Sequence, residues 1–189
     1  MPFTETSIPG LIVFEPKVWE DTRGYFYESY NEKVFQEAGI SAHFVQDNQS
    51  CSTYGVLRGM HYQTGEHAQA KLVRVLSGEV LDVAIDIREG SPTFGEWFSI
   101  RLSEANKKQL FVPRGFAHGF LVLSETAEFA YKCDNFYSRD AEGGVSYKDP
   151  QLNIDWQIDS ADLILSDNCL LYTSPSPRDL STSRMPSSA

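Results

Sequence analysis

The stretch Lys71–Arg88, KLVRVLSGEVLDVAIDIR, decides the fold class. Two apolar runs flank a Ser-Gly-Glu turn, and such a turn between strand-like runs is typical of a pair of β-strands. The second run alternates with a period of two, placing Leu81, Val83, Ile85 and Ile87 on one face and Val80, Asp82, Ala84 and Asp86 on the other. We therefore expect two strands, the second with one buried face and one mixed face.

Short strand-like segments continue on both sides of this stretch. Turn-rich segments separate further predicted strands at Leu11–Phe14, after Arg23-Gly24, and at Trp97–Leu102, Gln109–Val112, Gly119–Leu123 and Ala127–Tyr131. A modest helix is predicted to begin after Asn31, a good N-cap, and to end at Gly39. Many short strands with frequent turns predict an all-β sandwich or double-sheet jelly roll, and we expect the jelly roll, with one or two short helices.

The composition restricts the partners and the compartment. The 189 residues are 41% hydrophobic and 13% aromatic, as expected for one folded domain. A formal net charge of −10 argues against nucleic-acid binding, which requires a basic footprint. No run of about 18 apolar residues and no signal-peptide pattern occurs, so we expect no membrane partner. Three scattered cysteines without a C-x-x-C spacing predict free thiols in a reducing cytoplasm.

The last 21 residues differ from the rest of the chain. The segment 169–189, CLLYTSPSPRDLSTSRMPSSA, is rich in Ser, Pro and Arg and has no apolar periodicity. Such a segment cannot bury enough surface to offset its ordering entropy. We expect a folded domain over residues 1–168 and a disordered tail over 169–189. The abrupt change after Asn168 favours a non-native tail over a natural disordered one.

Polar residues in strand-like runs mark a candidate site. The run VLRGMHYQ, residues 56–63, carries Arg58 and His61, whose side chains would point to opposite faces of a regular strand. Gly59 between them is expected to form a bulge that re-aims one of them. The inward side chains of a jelly roll converge on a cavity. The polar candidates to line it are Gln46, Asn48, Arg58, His61, Gln63, Lys71, His118 and Tyr131.

This set of side chains suits proton transfer beside a carbonyl. A His can abstract the proton, a Lys or a second imidazole can stabilise the enolate oxygen, and a Tyr can return a proton. Two other interpretations stay open at this point. A lone His in a strand is often structural, and cupin-like jelly rolls often bind a cation, for which His61, Glu66 and His67 are the available ligands.

Seven blocks in order carry a family resemblance. They are EPKVWEDTRGYFYESYN, FVQDNQS, VLRGMHYQ, AKLVRVLSGEVLDVAIDIR, SPTFGEW, NKKQLFVPRGFAHGF and AEFAYKCDNFY. Together, over residues 3–168, they resemble the dTDP-4-dehydrorhamnose 3,5-epimerases of dTDP-L-rhamnose biosynthesis. The resemblance implies a cupin-type jelly roll, a homodimer, a dTDP-4-keto-6-deoxy sugar substrate, no metal and no cofactor.

The resemblance also implies roles for individual residues. It makes His61 the base and Tyr131 the proton donor, with Lys71 and His118 as further catalytic residues of the same site. The substrate-binding positions that it implies are Arg23, Glu28, Gln46, Asn48, Arg58, Tyr137 and Glu142. The segment from Arg23 to Glu28 is expected to reach the site of the partner subunit.

One position departs from the family pattern. The family carries an Asp that hydrogen-bonds the catalytic His, and Cys169 stands at that position here. A thiol is a weak acceptor and mostly neutral at pH 7, so we expect weakened activity unless Asp167 takes the place of the missing carboxylate. Other functions weighed are a single-centre epimerase, a ketoisomerase and a non-catalytic carbohydrate-binding jelly roll.

Overall fold

The computed structural model describes residues 2–166, and the residues outside that range include the predicted tail and Cys169. In the described part, one α-helix, α1 (Glu32–Glu37), accompanies 3₁₀-helices at Gly65–His67, Arg139–Ala141 and Ser160–Asp162. The strands are β1 (Phe3–Glu5), β2 (Ile12–Phe14), β3 (Trp19–Asp21), β4 (Gly24–Phe26), β5 (Gln46–Thr53), β6 (Val56–Gln63), β7 (Lys71–Ser77), β8 (Glu79–Asp86), β9 (Trp97–Ser103), β10 (Gln109–Val112), β11 (Phe116–Val122), β12 (Thr126–Cys133), β13 (Glu142–Gly144) and β14 (Ile164–Leu165).

The strands form two large sheets and one small hairpin. The first sheet has the order β1-β2-β10-β7-β12-β5, the second has the order β13-β6-β11-β8-β9 with β14 beside β6, and β3 pairs with β4 alone. From β5 to β12 the chain changes sheet at every connection except β8 to β9. This alternation between two facing sheets is a double-sheet jelly roll, which confirms the predicted fold class.

Local sequence explains the helix and the turn that were predicted. The Asn31 side chain accepts hydrogen bonds from the backbone N–H groups of Lys33 and Val34 at 3.1 and 3.4 Å, so it caps α1 as expected. Gly39 follows the helix with φ +85°, which is the left-handed conformation that favours glycine. The helix covers one end of the outer face of the first sheet, where Phe35 is buried.

Two details of the sequence prediction were wrong. The eleventh strand begins at Phe116 rather than Gly119, so His118 lies inside a strand and not after a turn. Strand β8 buries both faces rather than one, because the second sheet is covered on its outer side by residues 145–165. Asp82 and Asp86, on the face that points between the sheets, are also fully buried.

The apolar core fills the space between the sheets at one side and leaves a cavity at the other. A cluster that includes Val80, Ala84, Leu102 and Leu110 fills the space near β8, β9 and β10. Toward β5 and β6 the filling ends at a cavity, where polar side chains join apolar ones such as Phe120 and Phe129 in the lining. This open side of the sandwich holds the candidate site.

Candidate active site

A cavity of about 440 Å³ opens between the two sheets. Strands β5, β7 and β12 form one wall, and β6 and β11 form the other. Five of the predicted site residues line it, namely Arg58, His61, Lys71, His118 and Tyr131. The sequence prediction of a polar cavity inside the jelly roll is confirmed for these five positions.

A bulge in β6 brings Arg58 and His61 to the same cavity. His61 lies opposite His118 of β11, whereas Arg58 lies opposite Phe120, so three steps along β6 match two along β11. Gly59 has φ +144°, and a Cβ there would lie 2.5 Å from the Cα of Gly119. Because only glycine fits this close approach, the expected re-aiming at Gly59 is confirmed in the structure.

His61 and Tyr131 face the cavity from opposite sheets. His61 lies on β6 of the second sheet, and Tyr131 lies on β12 of the first. Burial raises the pKa of the Tyr131 phenol, and the nearby Arg58 opposes that rise. The phenol therefore keeps its proton at neutral pH and can act as a donor.

Lys71 brings a positive group to the same cavity. Burial lowers the pKa of its ammonium group, while Cys133, Asp82 and Glu142 act in the opposite direction. The ammonium lies 5.8 Å from the centre of the Tyr131 ring. Lys71 and Tyr131 are thus neighbours on one wall.

His118 lies on the other wall with a buried acidic partner. Its Nε2 lies 3.0 Å from both carboxylate oxygens of Asp82, which is fully buried. The His118 ring also stacks on Phe129, with ring centroids 6.3 Å apart. The sequence pattern pointed to His118 but not to Asp82, although an acidic residue within the apolar β8 strand is itself a signal of a paired buried charge.

Arg58 lies at the exposed mouth of the cavity. Its Nε donates to Ser52 Oγ at 3.0 Å, which fixes the side chain and leaves the other guanidinium nitrogens available to a ligand. A guanidinium binds phosphate oxygens in pairs. Ser52, which orients Arg58, is a further residue that the sequence pattern did not indicate.

Four predicted binding residues lie beside the cavity, outside its lining, and are connected in a hydrogen-bonded chain. Gln46 Nε2 donates to Asn48 Oδ1 at 3.1 Å, and Gln46 Oε1 accepts from the backbone N–H of Tyr137 at 3.3 Å. The Tyr137 hydroxyl donates to Glu142 Oε2 at 2.6 Å, which raises the pKa of Tyr137. Glu142 Oε1 in turn lies 3.6 Å from His61 Nδ1, so the chain ends at the expected base. Gln63 was also expected to line the cavity, but it lies outside the lining, where its Oε1 accepts from the backbone N–H of Ser138 at 2.9 Å.

Arg23 and Glu28 lie away from the cavity of their own chain. The Arg23 side chain is 88% exposed on the β3–β4 hairpin and pairs with Asp21. Glu28 lies in a separate depression beside Lys17 and Trp19. The structure of one chain therefore does not bring these two residues to the site.

Two further observations concern metals and membranes. Residues 2–166 contain no group of three or more His, Cys, Asp or Glu side chains placed to hold a metal ion. Within the same range, no helix has the length and hydrophobicity needed to cross a bilayer. Cys169, which stands where the family carries an Asp, and the alternative acceptor Asp167 lie outside the described residues.

A family model for dTDP-4-dehydrorhamnose 3,5-epimerase matches residues 5–179. The chain belongs to the dTDP-4-dehydrorhamnose 3,5-epimerase family. It is 55% identical over 168 residues to the dTDP-4-dehydrorhamnose 3,5-epimerase of Shigella flexneri, an alignment that covers 88% of this chain and 92% of the relative.

Solved structures of the epimerase family agree with this assignment. The dTDP-4-dehydrorhamnose 3,5-epimerase of Elizabethkingia anophelis NUHP1 is 56% identical with a TM-score of 0.88, covering 94% of this chain and 96% of that one. The dTDP-6-deoxy-D-glucose-3,5-epimerase of Legionella pneumophila Philadelphia 1, solved with dTDP-4-keto-L-rhamnose, is 51% identical with a TM-score of 0.85 and covers 89% of each chain.

Proposed function

We propose that this chain epimerises C3 and C5 of dTDP-4-dehydro-6-deoxy-D-glucose and so forms dTDP-4-dehydro-L-rhamnose. The observation that carries the proposal is the position of His61 and Tyr131 on facing sheets of one cavity. Inversion of a carbon requires a proton to leave one face of the sugar ring and another to arrive on the opposite face. A ring held between the two walls presents one face to each of these side chains.

The reaction begins with proton abstraction beside the C4 ketone. The ketone acidifies the hydrogens on C3 and C5, and His61 takes each of them in turn as the general base. The electrons move onto the C4 oxygen, where the positive group of Lys71 and the imidazole of His118 stabilise the enolate. Tyr131 then donates its proton to the opposite face of the carbon, and solvent restores the two protonation states. No cofactor takes part in these steps.

Arg58 holds the substrate at the mouth of the cavity. Its guanidinium, oriented by Ser52, binds the diphosphate, while the sugar extends inward toward His61. Gln46, Asn48, Tyr137 and Glu142 lie beside this path and contact the nucleotide sugar. Glu142 and Tyr137 are within reach because their hydrogen-bonded chain ends at His61.

The working molecule is a homodimer in the cytoplasm. The β3–β4 hairpin exposes three large aromatic side chains, Trp19 at 50%, Tyr25 at 58% and Phe26 at 71%. A cluster of exposed aromatic side chains of this kind is unusual on a monomer and typical of an interaction surface. In the dimer this hairpin packs on the partner and delivers Arg23 and Glu28 to the partner's cavity. The free thiols of Cys51 and Cys133 fit a reducing compartment.

The test is the reaction in D₂O, followed by NMR of the recovered sugar. We expect deuterium at both C3 and C5 and inversion at both centres. Deuterium and inversion at a single centre would replace the proposal with a one-centre epimerase. No exchange at either carbon, together with binding of the substrate, would replace it with a carbohydrate-binding jelly roll.

A further inference from the structure

Two consecutive backbone N–H groups at the rim of the cavity are held by side-chain amide oxygens, one from each sheet. Gln46 on β5 accepts from Tyr137 at 3.3 Å, and Gln63 on β6 accepts from Ser138 at 2.9 Å. The family resemblance implies a binding role for Gln46 and gives Gln63 none. A side-chain amide that accepts from a loop N–H fixes the path of the loop, since that N–H would otherwise need another acceptor.

Gln63 lies at the point where this loop meets the second sheet. It is the last residue of β6, and it lies directly opposite Glu142 of β13 in the strand register. The next residue, Thr64, holds the carbonyl of Ala141 through its backbone N–H at 2.9 Å and its hydroxyl at 3.2 Å. Gln63 and Thr64 therefore fix both ends of the short segment 138–141, which leads directly into Glu142.

The side chain that this arrangement orients is Tyr137. Its hydroxyl donates to Glu142 Oε2 at 2.6 Å, and this bond raises the pKa of the phenol. Glu142 Oε1 lies 3.6 Å from Nδ1 of His61, which lines the cavity. Tyr137 is 54% exposed, so its neighbours cover too little of it to fix its position by packing. Its orientation depends instead on its backbone, which the bonds at its own N–H and at the next N–H hold in place.

We propose that Gln63 is a positioning residue that holds Tyr137 at the rim of the cavity, so that the phenol keeps Glu142 in place for the nucleotide sugar. The proposal rests on the proposed function for the contact with the sugar, but not for the contact between the two side chains. Gln63 lies outside the lining of the cavity and acts through Tyr137. Without its amide oxygen the Ser138 N–H loses its acceptor and the loop shifts, which moves the phenol away from the carboxylate.

Gln157 supplies a matched control away from the cavity. Its Oε1 accepts from Nε and Nη2 of Arg101 at 3.1 and 2.7 Å, so it also connects a loop to a strand through an amide oxygen. It is not part of the cavity lining. Met has nearly the length of Gln but no amide oxygen, so Gln63→Met and Gln157→Met each remove one such connection. A general effect of losing a connection of this kind should therefore appear in both variants.

The first measurement is the titration of Tyr137, followed by NMR of protein labelled with ¹³C at the tyrosine Cζ and assigned by loss of the signal in Tyr137→Phe. We expect the pKa of Tyr137 to lie above the ordinary value of about 10 in the unmodified chain and in Gln157→Met, and to fall toward it in Gln63→Met. Gln63→Asn, whose amide is one CH₂ too short to reach Ser138, should behave in the same way and replaces Gln63→Met if that variant does not fold. An unchanged Tyr137 pKa in the folded Gln63 variant would overturn the proposal.

The second measurement is kinetic and uses deuterium exchange into the sugar. We expect Gln63→Met to raise KM on the order of tenfold with kcat within about threefold, and Gln157→Met to change neither by more than about twofold. In the Tyr137→Phe background the same Gln63 substitution should add less than about twofold, because the hydroxyl through which it acts is gone. An equal rise of KM in both backgrounds, or no rise in either, would overturn the proposal. If Tyr137 responds to Gln63→Met but the unmodified chain does not process the sugar, the proposed function fails while the role of Gln63 toward Tyr137 stands.

Discussion

The space between the two sheets has two halves with different chemistry. Near β8, β9 and β10 it is filled by apolar side chains such as Leu102 and Leu110, which are fully buried. Near β5 and β6 it is an open cavity lined by His61, Lys71 and Tyr131. The first half supplies the free energy that keeps the sheets together, so the second half can hold polar groups that contribute little to stability. Variants in the two halves should therefore have different consequences.

The largest expected effect lies in the cavity. His61→Ala removes the base, so exchange of the C3 and C5 hydrogens should fall by about 10⁴-fold or more, while the melting temperature changes by a few degrees at most. Deuterium incorporation followed by NMR measures the loss. The exposed His43, which pairs with Glu32 on the surface, is the matched control, and His43→Ala should change neither quantity. Equal losses in the two variants would contradict the role of His61 as the base.

The next effect concerns the carboxylate that is missing at position 169, where this chain has Cys169. Cys169→Asp restores a carboxylate that can fix the tautomer of His61 and stabilise its protonated form, so turnover should rise, on the order of 10³-fold. Asp167→Ala should cost little. The same exchange assay compares the three proteins.

Full turnover in the unmodified chain would contradict this expectation. If that turnover then vanished in Asp167→Ala, Asp167 would be the partner of His61 in place of residue 169. The described carboxylate near His61 is Glu142, 3.6 Å from Nδ1, and its role is a separate question that Glu142→Gln would address.

The apolar half should respond in the opposite way. Leu102→Ala leaves a cavity among fully buried side chains and should lower the free energy of unfolding by about 2–5 kcal/mol. Turnover per folded molecule should stay within about twofold, since Leu102 lies outside the lining of the cavity. Urea unfolding and the exchange assay give the two numbers. A large loss of turnover in fully folded Leu102→Ala would show that the halves are coupled.

The smallest expected effect is a pH dependence of stability. Burial alone would raise the pKa of Asp86, but hydrogen bonds from Arg88, Ser91 and Thr93 outweigh it and lower the pKa to about 2. The folded pKa lies below the ordinary value of 3.8, so the stabilisation is present above about pH 4 and is lost as the pH falls toward 2. It amounts to about 2 kcal/mol. Unfolding measured from pH 6 to pH 2 should show this loss, and Asp86→Asn should show a correspondingly smaller one.

The apolar half was easier to predict from sequence than the cavity. Period-two alternation in Lys71–Arg88 predicted the strands, and Gly59 between Arg58 and His61 predicted the bulge, because both are local properties of the chain. Asp82 could not be assigned from its own strand, since its partner is a diagonal neighbour on β11 that the sequence does not reveal. The burial of both faces of β8 also depends on residues 145–165, which lie far along the chain.

The measurement that tests the central claim most directly is the effect of Tyr131→Phe on two rates in one experiment. If base and acid act from opposite walls, deuterium exchange at C3 and C5 should continue within about tenfold of the unmodified rate, because His61 still removes the hydrogens. Formation of the inverted product should fall by about 10²-fold, because the proton on the opposite face is missing. Inversion that proceeds at the unmodified rate in Tyr131→Phe would contradict the account.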